Sequence, residues 1–514
     1  MLPFSVEPLT DFTNPANVQL QKDALAKINT QLGKEYPNII NGKEVFSEKK
    51  TKSINPANPD ELIGLFQKSG KDQAEEAIQA AHSAFQKWQY FPADERAKLL
   101  FKAAEICQKR RFEINAWMIK EVGKNFAEAD ADTAEAIDFL QFYGREMLRY
   151  SQPQPLTPYP HEYNEYFYIP LGVGVVVPPW NFPFAIMVGM TSAAIVSGNT
   201  VVLKPSSDAP MMAKLFADIM KEVGLPDGVL NYLVASGGEA GDYLVDHPLT
   251  RFVAFTGSVA VGSRIYERAA KVNNGQIWLK RVIAEMGGKD TMIIDSEIPS
   301  IDTAVATTIN SAFGFQGQKC SACSRVIVDE AIYDEFLEKL AKQVKELPIG
   351  SPEENYRIGP VASASAEASI IEYLEIAKKE GNVLVGGNKI DRPGYFIEPT
   401  VVADLAVDSR ISLEEIFGPV LAVFKSKNYD EALKIANNTS FGLTGGVFTN
   451  NREKIMRARK EFHVGNLYFN RKITGAIVDV HPFGGFNMSG TDSKAGSRDY
   501  LLLFMQGKAV SELL

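Results

Sequence analysis

The stretch Gly314-Phe315-Gln316-Gly317-Gln318-Lys319-Cys320 sets a cysteine just after a glycine-rich turn, and Glu285-Met286-Gly287-Gly288-Lys289 sets a carboxylate at the opening of a Gly-Gly turn. A thiol nucleophile and a separate general base are the groups needed to form a covalent acyl-enzyme and then hydrolyse it. Singly, each has a plain structural reading, since a free cysteine commonly packs as a small buried apolar residue. Pro179-Trp180-Asn181-Phe182-Pro183 holds an asparagine between rigid residues, where its amide either donates to an oxyanion or caps the helix that follows. Lys204, in Val202-Leu203-Lys204-Pro205-Ser206-Ser207, ends an apolar run, and open α/β sheets bind ligands at strand C-termini. In Phe255-Thr256-Gly257-Ser258-Val259-Ala260-Val261-Gly262, Gly257 lets the backbone come close and a helix N-terminus faces outward, as a pyrophosphate requires. That stretch is not a G-x-G-x-x-G fingerprint, and alone it reads as an ordinary strand-to-helix turn. Cys320-Ser321-Ala322-Cys323 is formally C-x-x-C, but no second pair exists and neither His463 nor His481 has ligand spacing, so no metal is expected.

These groups must be positioned by an alternating architecture. After a helical arm, Asn38 to Val45 reads as a hairpin turning at Asn41-Gly42. Residues 72 to 149 are helix-rich, with helical periodicity over Ala74–Trp88 and Asp94–Val122. Four prolines between Ser151 and Pro160 break the pattern. Short apolar runs at Val173–Val177, Thr200–Leu203, Val229–Val234, Phe252–Phe255 and Val282–Ala284 alternate with helices such as Ala209–Val223, which predicts a parallel doubly wound sheet. A second series follows: helix Ile301–Phe313, strand Arg325–Val328, helices Tyr333–Lys345 and Ala366–Lys379, and strands Val383–Val385 and Val420–Phe424. It predicts a separate α/β unit with Cys320 at its edge. No internal repeat or low-complexity tract is visible.

A chain of 514 residues exceeds one hydrophobic core. The net charge of −9 argues against a nucleic-acid partner. Cys107, Cys320 and Cys323 are the only cysteines, which points to a reducing compartment, and the N-terminus shows no signal-peptide pattern. No apolar run approaches the roughly 18 residues of a membrane span, so a cytoplasmic protein without membrane partners is expected.

Together these segments resemble the aldehyde dehydrogenase superfamily over nearly the whole chain. Pro179-Trp180-Asn181, Lys204-Pro205, Gly257-Ser258 with Gly262, Glu285-Met286-Gly287-Gly288-Lys289, Gly317-Gln318-Lys319-Cys320 and Glu415-Ile416-Phe417-Gly418-Pro419 stand in that family's order and spacing. Cys320-Ser321, Thr474-Gly475-Ala476-Ile477-Val478 and His481-Pro482-Phe483-Gly484-Gly485 further resemble its 1-pyrroline-5-carboxylate dehydrogenase branch. The resemblance implies an α/β fold in three parts: a Rossmann-like NAD-binding domain over 1–150 and 169–288, a catalytic domain over 289–480, and a small β oligomerisation flap over 151–168 and 490–514. Family members are homo-oligomers built from dimers.

The resemblance implies NAD-dependent oxidation of L-glutamate γ-semialdehyde to L-glutamate, in proline or arginine degradation, through a cysteine thiohemiacetal and thioester. Cys320 would be the nucleophile, Asn181 and the Cys320 N–H the oxyanion donors, and Glu285 the base that activates water. Lys204, Ser207, Gly257, Ser258, Gly262, Glu415 and Phe417 would face the cofactor. Ser321 and the N–H groups of Gly475 and Ala476 would take the α-carboxylate, Phe184 and Phe483 would wall the aliphatic part, and Glu135 would lie near the α-amino group. Many NAD-preferring members carry a glutamate where this chain has Ser207, so use of NADP is expected to be tolerated. Competing readings are an aldehyde dehydrogenase acting on another semialdehyde, a cofactor-binding protein that has lost catalysis, and a dithiol redox protein using Cys320 and Cys323.

Overall fold

The computed structural model describes residues 3–514. Two seven-stranded sheets organise the chain. In the first, Arg281–Glu285, Thr250–Thr256, Val173–Val177, Thr200–Leu203 and Leu230–Tyr232 lie side by side, all parallel. Their β-branched runs are buried, as strands covered on both faces must be. The antiparallel hairpin Asn38–Ile40 and Lys43–Val45 closes one edge. Asn41 and Gly42 both take positive φ (51° and 72°), the conformation of a two-residue hairpin turn. Gly174 sits opposite Phe252, and a Cβ there would lie 2.0 Å from the Phe252 ring.

The second sheet runs Asn382–Val385, Thr400–Ala403, Val420–Ser426, Cys323–Asp329, Asp290–Ile294, Thr444–Phe448 and Asn466–Phe469. Only its first pair is antiparallel. Glu285 ends the last-built strand of the first sheet, and Asp290 begins the second, so Met286 to Lys289 is the crossing between them. Buried apolar clusters cover both faces of each sheet.

Several elements differ from the sequence pattern. Asp94–Val122 is two helices, Ala93–Lys109 and Arg111–Val122, because Arg110 leaves helical geometry (φ −100°, ψ 15°). Lys50–Asn55 and Asn58–Gln67 form a hairpin that the polar alternation of this stretch conceals. Thr444–Phe448 is a central strand masked by its Gly445-Gly446 pair. Glu162–Pro170 and Met505–Leu513 form a two-stranded antiparallel ribbon. Residues 490–504 are not in that ribbon: Tyr500, Leu501 and Phe504 are buried in the main core, and Ser493 reaches Glu285. Among the described residues no helix is long and apolar enough to cross a membrane, and no group of His, Cys, Asp and Glu could hold a metal.

Candidate active site

The cysteine loop is held in an unfavourable backbone state. After helix Ile301–Phe313, capped by Ser300, the chain passes through Phe315 (φ 49°), Gln316 (φ 56°) and Gly317 (φ 68°). A left-handed conformation at a residue other than glycine costs on the order of 1–3 kcal/mol and persists only when its surroundings over-determine it. Here Gln316 Nε2 donates to the Pro360 carbonyl at 2.7 Å, and Gln318 Oε1 accepts from Ala362 N–H at 2.9 Å. Gly317 is required by packing as well, since a Cβ would lie 2.3 Å from the Gly418 carbonyl oxygen. Asn181 is buried and donates from Nδ2 to the Gln318 carbonyl at 3.0 Å. An amide carries two N–H donors, so one remains for a ligand.

Cys320 and Glu285 line one cavity of about 100 Å³, with Glu135, Phe182, Ser321, Gly475, Ala476, Ile477 and Phe483 also in its wall. The Ser493 hydroxyl donates to Glu285 Oε1 at 2.5 Å, and Gly485 N–H donates to Oε2 at 3.4 Å. Burial outweighs these bonds and pushes the Glu285 carboxyl up to about 8. Burial, with the carboxylates of Asp290, Glu415 and Glu285 nearby, holds the Cys320 thiol well above its ordinary range. Burial thus disfavours both charged forms, and a carboxyl raised toward neutral suits the activation of water. Glu135 is also raised to about 8, by burial and then by Asp132. Cys323 stands apart: it is buried, and its thiol donates to the Arg325 carbonyl.

A buried ion pair supports one wall. Lys124 and Asp132 are both fully buried with N···O 2.7 Å. Asp132 also accepts the N–H of Ala185, and the ammonium stands 4.0 Å from the centre of the Phe182 ring and 4.9 Å from that of Phe315. One cation thus touches both the cavity wall and the strained loop that presents Cys320.

The cofactor-side residues form a second group. Lys204 is buried without a partner among the described residues, and burial pulls its amine down to about 8. Gly257 N–H donates to the Glu285 carbonyl, and a Cβ at Gly262 would lie 2.4 Å from Met286 Sδ. Ser258 caps helix Val259–Ala270, accepting from Val261 N–H at 3.4 Å. Glu415 accepts from Gly288 N–H at 3.1 Å and is raised to about 7 by burial. A Cβ at Gly287 would lie 2.1 Å from a Glu415 oxygen and would displace that carboxylate. Phe417, at φ 57°, packs edge-on against Trp180. Ser207 is exposed, and the acid next to it is Asp208.

One expected residue is displaced. Phe184 is fully buried against Phe216, away from the cavity, and Phe182 lines it instead. The reason is local: Phe184 is the N-cap of helix Ala185–Val196 and turns into the core under that helix. Phe182 lies two residues before Phe184, inside the Pro179–Pro183 bracket, and the sequence reading assigns the wall to Phe184 because nothing local separates the two rings. Ser493 and Tyr500, which reach the site from the chain's far end, carry no local signal.

The aldehyde dehydrogenase family model matches residues 45–510. The chain belongs to the aldehyde dehydrogenase family. It is 56% identical over 512 residues, 99% of each chain, to a 1-pyrroline-5-carboxylate dehydrogenase of Anoxybacillus flavithermus. It is likewise 56% identical to one of Geobacillus thermodenitrificans over the same share of both chains. Its structure matches a 1-pyrroline-5-carboxylate dehydrogenase from Thermus with bound NAD at TM-score 0.99 and 47% identity, covering 100% of both chains. Proline utilization A from Bdellovibrio bacteriovorus matches at TM-score 0.98 and 44% identity, and this aldehyde dehydrogenase spans 53% of that longer chain.

Proposed function

We propose that this aldehyde dehydrogenase oxidises L-glutamate γ-semialdehyde, the open form of 1-pyrroline-5-carboxylate, to L-glutamate with NAD, a step in proline or arginine breakdown. The observation that carries the reading is the single cavity in which Cys320 and Glu285 face Ser321, Gly475 and Ala476. It joins an acyl-transfer pair to small residues whose backbone N–H groups a carboxylate can approach. The named activity of full-length relatives at 56% identity supports the same substrate.

The cofactor fits the residues present. A buried Lys204 amine and a buried Ser236 hydroxyl, neither with a partner among the described residues, and glycines at 257 and 262 crowded by Phe255 and Met286 suit a dinucleotide. Lys204 would hold the adenosine ribose, Ser258 the pyrophosphate, and Glu415 the nicotinamide ribose, with Phe417 packed nearby. NAD, when bound, supplies the hydride acceptor that takes the thiohemiacetal to the thioester. Cys320 releases its thiol proton to solvent and attacks the aldehyde carbon as the thiolate. The Asn181 amide and the Cys320 N–H hold the oxyanion. Glu285 takes a proton from water as that water attacks the thioester, releasing the acid and restoring the thiol. Phe182 and Phe483 wall the methylene chain, and Glu135 faces the α-amino group.

Ser207 offers no charge against a 2′-phosphate and the Lys204 amine can pair with one, so NAD is preferred and NADP is used measurably. A homo-oligomer is favoured by the exposed apolar side chains of Val272, Ile277 and Leu279. Three free thiols favour the reducing cytoplasm. The test is NADH formation with glutamate γ-semialdehyde, succinate semialdehyde and propanal. A kcat/KM for the first that does not exceed the others would sink the substrate assignment.

A further inference from the structure

A second hollow, of about 350 Å³, is lined by Glu128, Lys319, Arg357, Lys472 and Thr474 among others. This hollow and the catalytic cavity are lined by successive residues of the same two segments: Lys319 precedes Cys320 and Ser321, and Thr474 precedes Gly475 and Ala476. Its charges are uneven. Lys319 is neutralised by Glu128 at 2.6 Å, and Arg357 spends one donor on the neutral Asn310 side chain at 2.7 Å. Lys472 makes no ion pair among the described residues, though Glu128 attracts it and Lys319 and Arg471 repel it. In a chain of net charge −9, this hollow is cationic. Lys472 is the best placed of these groups: its Nζ lies 3.4 Å from where a Cβ on Gly475 would stand.

We infer that Lys472 is a specificity-determining residue that supplies the counter-charge to the substrate's α-carboxylate beside Gly475, with Arg357 adding to the field that draws the anion in. The inference rests on the substrate reading above and deepens it. Backbone N–H groups of Gly475 and Ala476 offer hydrogen bonds but no formal charge, and a carboxylate bound to a cation is held more strongly than one bound to neutral donors. With the aldehyde at Cys320, the α-carboxylate reaches the Gly475 side of the cavity, beside Lys472. An uncharged aldehyde gains nothing there. The field is partly exposed to solvent, so its effect weakens as salt is raised.

The experiment compares the native enzyme with Lys472→Gln and Lys472→Arg, measuring kcat/KM for glutamate γ-semialdehyde and for propanal at low and high salt. The ratio of the two kcat/KM values is expected to fall about five- to tenfold in the Gln protein, mainly through KM, and to recover most of that in the Arg protein. The native ratio falls with salt, and the Gln protein shows a flatter dependence. A second readout is inhibition of propanal oxidation by L-glutamate and by 4-aminobutyrate, which lacks the α-carboxylate. Lys472→Gln should weaken L-glutamate and leave 4-aminobutyrate little affected. An unchanged ratio together with unchanged L-glutamate inhibition overturns the inference. A native enzyme with no preference for the semialdehyde overturns the substrate reading instead, and the role of Lys472 is then decided by L-glutamate inhibition alone.

Discussion

Replacing Ser493 with Ala should move the pH dependence of turnover without touching the nucleophile. The Ser493 hydroxyl donates to Glu285 Oε1 at 2.5 Å, while the other carboxylate oxygen has only Gly485 N–H at 3.4 Å. Ser493 is thus the closer of two donors that favour the ionised form against burial, which holds the group at about 8. A hydrogen bond to a charged group is worth roughly 1.5–3 kcal/mol, and one pKa unit is about 1.4 kcal/mol. Because the protonated acid keeps part of that bond, the net upward shift is about one unit. At neutral pH the ionised fraction of Glu285 then falls from about a tenth to about a hundredth. Steady-state kcat in Ser493→Ala should drop roughly tenfold near pH 7 and approach the native value above pH 9 or so. Rapid mixing should still show a burst of NADH at neutral pH, followed by slower turnover, because water activation is the step most starved of base. A kcat lowered by the same factor at every pH, or an ascending limb that does not move, would refute the assignment of Glu285 as the titrating base.

Cys320→Ala should abolish aldehyde oxidation, whereas Cys323→Ala should keep most of it and lose stability instead, since Cys323 is a buried packing group; comparable loss of activity in both proteins would revive a dithiol mechanism. Asn181→Ala should lower kcat by about 10²–10³ with cofactor binding retained, as expected when an oxyanion donor is removed, and a loss confined to KM would contradict that role. Glu121 is buried, accepts from Ser53 and Met211, leaves one oxygen unpartnered, and is raised from 4.5 to about 8 by burial. Between those values the folded state holds a proton that the unfolded state has lost, so stability falls as pH rises. Glu121→Gln should therefore gain relative to the native protein by up to about 1.4 kcal/mol per pH unit through this window. Denaturant melts at several pH values test it, and a difference that does not grow with pH rules it out.

The amino-acid sequence by itself determined the alternating α/β plan, because β-branched runs such as Val173–Val177 and capped helices such as Ile301–Phe313 are local signals. It also singled out Cys320, Glu285 and Asn181, since each lies in a turn whose glycines or prolines constrain a few adjacent residues. The Asn41-Gly42 hairpin was legible for the same reason. Tertiary structure decided everything that depends on groups distant in the chain. Only packing chose Phe182 over Phe184 for the cavity, by turning Phe184 beneath its own helix. Only packing brought Ser493 to Glu285, 208 positions away, and made the carboxyl's environment dry enough to raise its proton affinity. It likewise set the Lys124–Asp132 pair behind the strained loop and Lys472 beside Gly475. Turn chemistry and periodicity act over a few residues and can be read in order along the chain. Desolvation, charge pairing and the shape of a cavity are sums over neighbours that exist only once the chain has folded.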